Sequence, residues 1–137
     1  VDRFVGKYFG NFSNVEDVKS SFSNHDENYE KLNDVELKEE EVLLASYGGA
    51  AYEGDAIVIF ERDGKFYEAH GSHCSCNGLE GQWSPEETTM EALVFRLENM
   101  DKYSVERMKE EHGEDFYDAF RQLVMFEIFE REVLLKN

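Results

Sequence analysis

From His70 to Cys76 the chain reads HGSHCSC, a run that holds both cysteines of the protein and two of its four histidines. Thiolate sulfur and imidazole nitrogen together suit zinc, which takes tetrahedral sulfur and nitrogen ligands without redox chemistry. The spacing is less regular than the composition. Structural zinc sites commonly use two separated ligand pairs, whereas His70, His73, Cys74 and Cys76 all lie within this one stretch. Adjacent side chains of an extended chain point to opposite faces, so His73 and Cys74 converge only where the backbone turns sharply. Gly71-Ser72 and Asn77-Gly78 offer such bends, and His112, His25 or a carboxylate could supply one ligand from elsewhere. Two other readings stand beside zinc: small buried cysteines next to a loop with hydrogen-bonded histidines, and a redox or nucleophilic pair. A Cys-x-Cys spacing is poor geometry for a structural disulfide. A catalytic zinc needs an open coordination position and a general base. No recognisable oxyanion arrangement accompanies the run, so no residue is assigned a catalytic role and the zinc is read as structural.

The elements that must position this cluster form a chain of 137 residues, expected to fold as a single domain, 1–137, with a metal-binding loop at about 70–83. Apolar residues make up 41% and aromatics 14%, which argues for a packed core despite 33% charged residues. Fourteen Lys and Arg against thirty-one Asp and Glu give a formal charge of −17. Such a surface repels nucleic acid and anionic membranes and attracts a basic protein partner. No apolar run is long enough to span a bilayer and no leader pattern is evident, so the expected setting is the cytosol.

The sheet is expected at the centre. Val42–Tyr47 is rich in apolar residues, and Ala56–Glu61 and Lys65–His70 flank Asp63-Gly64, a strong hairpin signal. Ile57 and Ile59 share one face of the first arm, and Ala56, Val58 and Phe60 the other, so this strand should be central and covered on both sides. The first dozen residues suit an edge strand or packed arm. A short helix should follow, capped by Ser13 with Glu16, bearing Val15, Val18 and Phe22 on one face. Ser84-Pro85-Glu86-Glu87 predicts a helix start leading into Met90, Leu93, Val94 and Leu97. A polar helix at Ser104–Glu111 and a broad apolar helix from Glu114 to about Leu135 complete an α+β fold: a small antiparallel sheet packed with helices from both ends of the chain. Trp83 should pack the loop onto the core.

Acidic residues concentrate in two strips, both candidate partner surfaces. The first is Asp26, Glu27, Glu30, Asp34, Glu36, Glu39, Glu40 and Glu41, with Tyr29, Leu32, Val35 and Leu37 as its apolar anchors. The second is Glu106, Glu110, Glu111, Glu114 and Asp118. A plain solvated face is the competing reading.

The stretch Tyr47–Leu97, through GDAIVIFERDGKFYE and GSHCSCNGLEGQWSPEETTMEAL, resembles a family of small bacteriophage proteins. The resemblance implies a protein acting in the cytoplasm of an infected bacterial host. In charge, size and metal use it is similar to anti-CRISPR proteins directed at the type II RNA-guided nuclease. Such a protein would bind a basic surface of the effector and block DNA loading, its carboxylates either imitating DNA or complementing a basic patch, with no direct nucleic-acid or membrane binding. The alternatives are a zinc-dependent hydrolase or nuclease, and a host-takeover adaptor whose last helix pairs with another chain.

Overall fold

The computed structural model describes residues 6–50, 53–74 and 78–136, with side chains as far as residue 126. The fold is α+β: a five-stranded sheet in the order β1-β2-β3-β4-β5, with four helices distributed over both ends of the chain. The strands are β1 (Lys7–Gly10), β2 (Val42–Ala50), β3 (Glu53–Arg62), β4 (Lys65–His73) and β5 (Glu86–Thr88). The helices are α1 (Val15–Phe22), α2 (Met90–Glu98), α3 (Lys102–His112) and α4 (Glu114–Lys136). The sheet is mixed rather than wholly antiparallel, because β1 runs parallel to β2.

β3 is the middle strand and separates two cores, as its two apolar faces require. Ala56, Val58 and Phe60 meet Phe12, Val18, Phe22, Val35 and Leu37 on one face. Ile57 and Ile59 meet Met90, Leu93, Phe116, Phe120 and Leu123 on the other. These are termed the α1 face and the α4 face. Between β3 and β4, Asp63 (φ 53°) and Gly64 (φ 78°) form a two-residue turn with both φ positive, the hand that matches strand twist. In β2 the register slips between Val42 and Leu44. This bulge resets the alternation, so Leu43 and Leu44 both enter the α4-face core while Val42 and Ala45 enter the other.

Two local expectations are corrected. The cap of α1 is Asn14, whose side chain accepts from Asp17 N–H at 2.9 Å, while Asp17 accepts from Ser13 N–H at 2.8 Å. The pairing therefore sits one residue beyond Ser13 and Glu16. Ser84-Pro85 starts no helix. Glu86–Thr88 instead pairs with Phe66–Glu68 as an edge strand, and Thr89 caps α2 by accepting from Ala92 N–H at 3.0 Å. The edge of β4 would otherwise present unpaired backbone, and an edge strand carrying Glu86 and Glu87 covers it and discourages further pairing.

Candidate functional site

The cysteine loop leaves the sheet at the end of β4, which runs to His73, three residues beyond the expected end at His70. That extension decides the histidines' directions. His70 pairs with Ile57 and shares its face, whereas His73 pairs with Gly54 and lies on the opposite face against Tyr47. Tyr47 Oη and His73 Nδ1 share a hydrogen bond of 2.9 Å, which leaves His73 Nε2 as the nitrogen available to a ligand. His70 Nε2 is 3.1 Å from Glu68 on the α4 face. The structure therefore sets His70 and His73 on opposite faces of the sheet, with Cys74 following His73 at the end of β4. Cys74 is exposed, and Cys76 lies outside the described residues. Among the described residues no group of three or more His, Cys, Asp or Glu side chains is close enough to hold a metal ion. His25 sits in an isolated bridge with Lys31, and His112 is on the α4 face.

What fixes the loop is an amide that sequence reading passed over. Gln82 accepts from Ser72 N–H at 2.9 Å and donates to the carbonyls of Ser72 and Gly78 at 2.8 Å each. It thus satisfies the edge of β4 beyond β5, as a neighbouring strand would. Leu79 is buried at the same place. Trp83 packs the loop onto the core, as expected, stacking on Phe60 at 5.8 Å and meeting Phe22 edge-on at 5.1 Å.

On the α4 face a groove of about 610 Å³ opens between β3, β4 and α3. Its lining mixes apolar Ile57, Met108 and Phe116 with the acids Asp55 and Glu111, the arginines Arg96 and Arg107, and His112. The C-terminus of α3 can lie this close to the sheet because Gly48 has no side chain: a Cβ there would strike the Glu111 carbonyl. Burial lowers the pKa of His112 and keeps the ring neutral, and its Nδ1 shares a 2.7 Å hydrogen bond with Ser46 Oγ. Ser46 is completely buried, so this pair anchors α3 to β2. Burial also raises the Glu111 carboxyl, and a hydrogen bond with Asp55 adds to the rise, against the opposing effect of Arg107. Nearby, Glu68 is held by Arg96 through both carboxylate oxygens, at 2.6 and 2.8 Å. Sequence reading had Glu111 in an exposed strip and did not single out Asp55. The pairing of Gly48 with Asp55 across β2 and β3 is the register that brings the two acids together.

The two acidic strips lie on opposite faces of the sheet. In the first, Glu27, Glu30, Asp34, Glu36, Glu39 and Glu40 are exposed and Asp26 is half-buried. Glu41 is taken up by Arg62, which donates to both of its oxygens at 2.6 and 2.9 Å. The segment is pinned at both levels. Asp26 accepts from the N–H groups of Asn28 and Glu30, and Asp34 accepts from the backbone and side chain of Asn24. Val35 and Leu37 anchor it in the core, at 3% and 4% exposure. Tyr29 and Leu32, expected to do the same, face outward at 87% and 51%. Tyr29 also carries a positive φ of 63°. In the second strip, Glu106, Glu110, Glu114 and Asp118 are exposed on α3 and α4, and Glu111 alone turns into the groove.

No helix among the described residues is long and apolar enough to cross a membrane. Comparison with protein-family models, curated proteins and solved structures finds no match to the chain.

Proposed function

We propose that this protein is an acidic, phage-encoded inhibitor that docks on a basic nucleic-acid-handling surface of a host defence nuclease, a type II CRISPR effector, and blocks DNA loading. One observation carries this reading: Tyr29 and Leu32 stand out from an acidic segment that is otherwise tied down by Val35, Leu37, Asp26 and Asp34. An exposed tyrosine in a segment rich in exposed carboxylates has the make-up of a binding hot spot with charged neighbours. Because the segment is already ordered, little conformational entropy is lost on docking. The positive φ at Tyr29 fits the same view, since strain of this kind collects at functional sites. The net charge of −17 would speed encounter with a basic target and make it salt-dependent.

Zinc, in this proposal, is bound by His73, Cys74 and Cys76 and is structural. His73 fits that role, because ligating histidines ordinarily hydrogen-bond through their other nitrogen, as His73 does to Tyr47. His70 has no part in it. Metal content per chain in wild type and in the Cys74→Ser/Cys76→Ser variant tests this point independently of inhibition.

The functional test measures DNA binding by a purified type II effector as this protein is titrated in. Tyr29→Ala with Leu32→Ala should weaken inhibition by roughly a hundredfold, if each behaves as a hot-spot residue. Charge reversal at Glu27, Glu30, Glu36 and Glu40 should act mainly through the association rate. Unchanged inhibition by both variants, or turnover at substoichiometric amounts, would refute the docking reading.

A further inference from the structure

Helix α3 is held to the molecule differently from the other three helices. α1 buries Val18 and Phe22, α2 buries Met90 and Leu93, and α4 buries Phe116 and Phe120. No side chain of α3 is fully buried, and only Val105, Met108, Lys109, Glu111 and His112 are half-buried. Its attachment to the sheet lies in its C-terminal half. Met108 leans on the α4-face core, His112 Nδ1 shares the 2.7 Å hydrogen bond with Ser46 Oγ, and the Glu111 carbonyl rests against Gly48. Gly113 follows at once, with φ 93° and no described atom within 4 Å of where a Cβ would stand, so the chain can swivel there without a clash. Under the helix lies the groove of about 610 Å³.

We propose that α3 is a strap over this groove, hinged at Gly113 and latched by His112 on Ser46, and that protonation of His112 releases it. Around the imidazole stand Ser46 and Gly48 of β2, Asp55 of β3, His70 of β4, the Phe116 ring of α4 at 4.8 Å, and Arg107 and Glu111 of its own helix. A neutral ring suits this site, whereas an imidazolium would have to stay there stripped of water. Asp55 offsets that cost only in part, because burial has the larger effect and lowers the ring below its ordinary 6.5. The open strap returns the ring to water and binds a proton more readily than the closed one. Closure is therefore complete above about pH 6.5 and weakens as pH falls from there toward the lowered value. Glu111 acts in the opposite direction: its carboxyl is raised, so it favours closure as pH falls further toward 4.5. Opening uncovers the groove and carries Glu106 and Glu110 of the second acidic strip away from the sheet. The strap does not depend on the docking reading given above.

The experiment is native-state amide hydrogen exchange of the full chain from about pH 7.5 to about pH 5.5, corrected for the intrinsic pH dependence of exchange. A helix of 11 residues is marginal in water, so a released α3 frays and its amides report the opening. They should exchange through an opening that β3 and α4 do not share. Its equilibrium constant should rise by up to roughly tenfold for each pH unit below 6.5, levelling off at the midpoint of the His112 ring's own NMR titration. His112→Gln can still hydrogen-bond but cannot titrate in this range, and it should flatten the rise. Both proteins keep Glu111, so the difference isolates the imidazole. Ser46→Ala should raise the opening constant roughly tenfold near neutrality, since the ring loses its buried partner. Should His112→Gln fail to fold, the wild-type ring titration and Ser46→Ala decide. Protection of α3 that falls only together with that of β3 and α4 would overturn the proposal. So would a pH dependence retained in His112→Gln, a ring midpoint at or above 6.5, or an opening constant unchanged by Ser46→Ala.

Discussion

Replacing Arg96 by Met should weaken the way stability at one buried carboxylate responds to acid. Glu68 is only 6% exposed, on the α4-facing side of β4. Burial alone would raise its carboxyl, but hydrogen bonds from His70 and Arg96, with the charge on Arg96, outweigh burial and lower it from 4.5 to about 2. A fall of about two and a half pH units corresponds to ~3.4 kcal/mol. The Arg96 side chain is 43% exposed, so solvent screening reduces the contribution to ~2 kcal/mol. The folded-state pKa lies below the unfolded one, so this stabilisation is complete above about pH 4.5 and is lost as pH falls toward about 2. In Arg96→Met burial and the His70 hydrogen bond remain while the hydrogen bonds and charge of Arg96 are gone, so the carboxyl rises from its wild-type position. The variant then gains less stability from this site as pH rises than the wild type does. Near neutrality the deficit should be ~2 to 3 kcal/mol, toward the lower end for a broken buried pair because one partner is half open. That lowers Tm by roughly 6 to 10 °C in a chain of this size. Urea unfolding followed by circular dichroism, repeated over a pH series for both proteins, measures it. Plotting the difference cancels the carboxylates common to both. The deficit should shrink steadily on acidification, and Glu68→Gln added to Arg96→Met should recover much of it. A deficit that stays constant with pH would refute the reasoning.

Gly48→Ala should destabilise by about 3 kcal/mol or more, because the new methyl meets the Glu111 backbone rather than a side chain that can move. Hydrogen exchange should then accelerate in α3 before it does in β3. Gln82→Ala removes three hydrogen bonds to Ser72 and Gly78 and should cost ~2 to 3 kcal/mol. The Ser72 amide should lose protection, and Trp83 fluorescence, set by stacking on Phe60, should shift to the red. Sodium chloride should raise Tm, since a net charge of −17 makes the folded chain repel itself and salt screens that repulsion. A fall in Tm with moderate salt would mean that local ion pairs outweigh the global charge.

The central hairpin was legible because its signals agree: Asp63-Gly64 supplies the turn, and apolar side chains on both faces of β3 supply the burial. The start of α2 was not, because Ser84-Pro85-Glu86-Glu87 satisfies the local rules for a helix while the open edge of β4 recruits the same residues as a strand. Local preference lost there to a tertiary demand, and Thr89 was an equally good cap. The bulge that turns Leu43 and Leu44 to one side has no local sequence signature. For the histidines the information was present: three residues apart in a strand means opposite faces. It became usable only once β4 was known to reach His73. Asp55 with Glu111 and Gln82 with Ser72 were beyond local reading, since each pair is set by strand register or loop return. With acids so plentiful, no single carboxylate stands out until the fold gives it a neighbour.

Placing the acidic strips on opposite faces changes what a partner must look like. The sheet and its two cores lie between Glu27–Glu40 on one side and Glu106–Asp118 on the other, so no flat surface can touch both. Either one strip is the interface and the other keeps the chain soluble and steers it, or the partner closes around the molecule as a channel closes around a duplex. The two cases separate kinetically. Reversing charges in a strip that only steers should slow association, by an amount that salt abolishes, and leave dissociation unchanged. Reversal in a strip that is buried should speed dissociation at every salt concentration. A channel-like partner requires the second outcome for both strips. A flat partner requires it for one strip only, and under the proposed docking reading that strip is the first, which carries the exposed Tyr29.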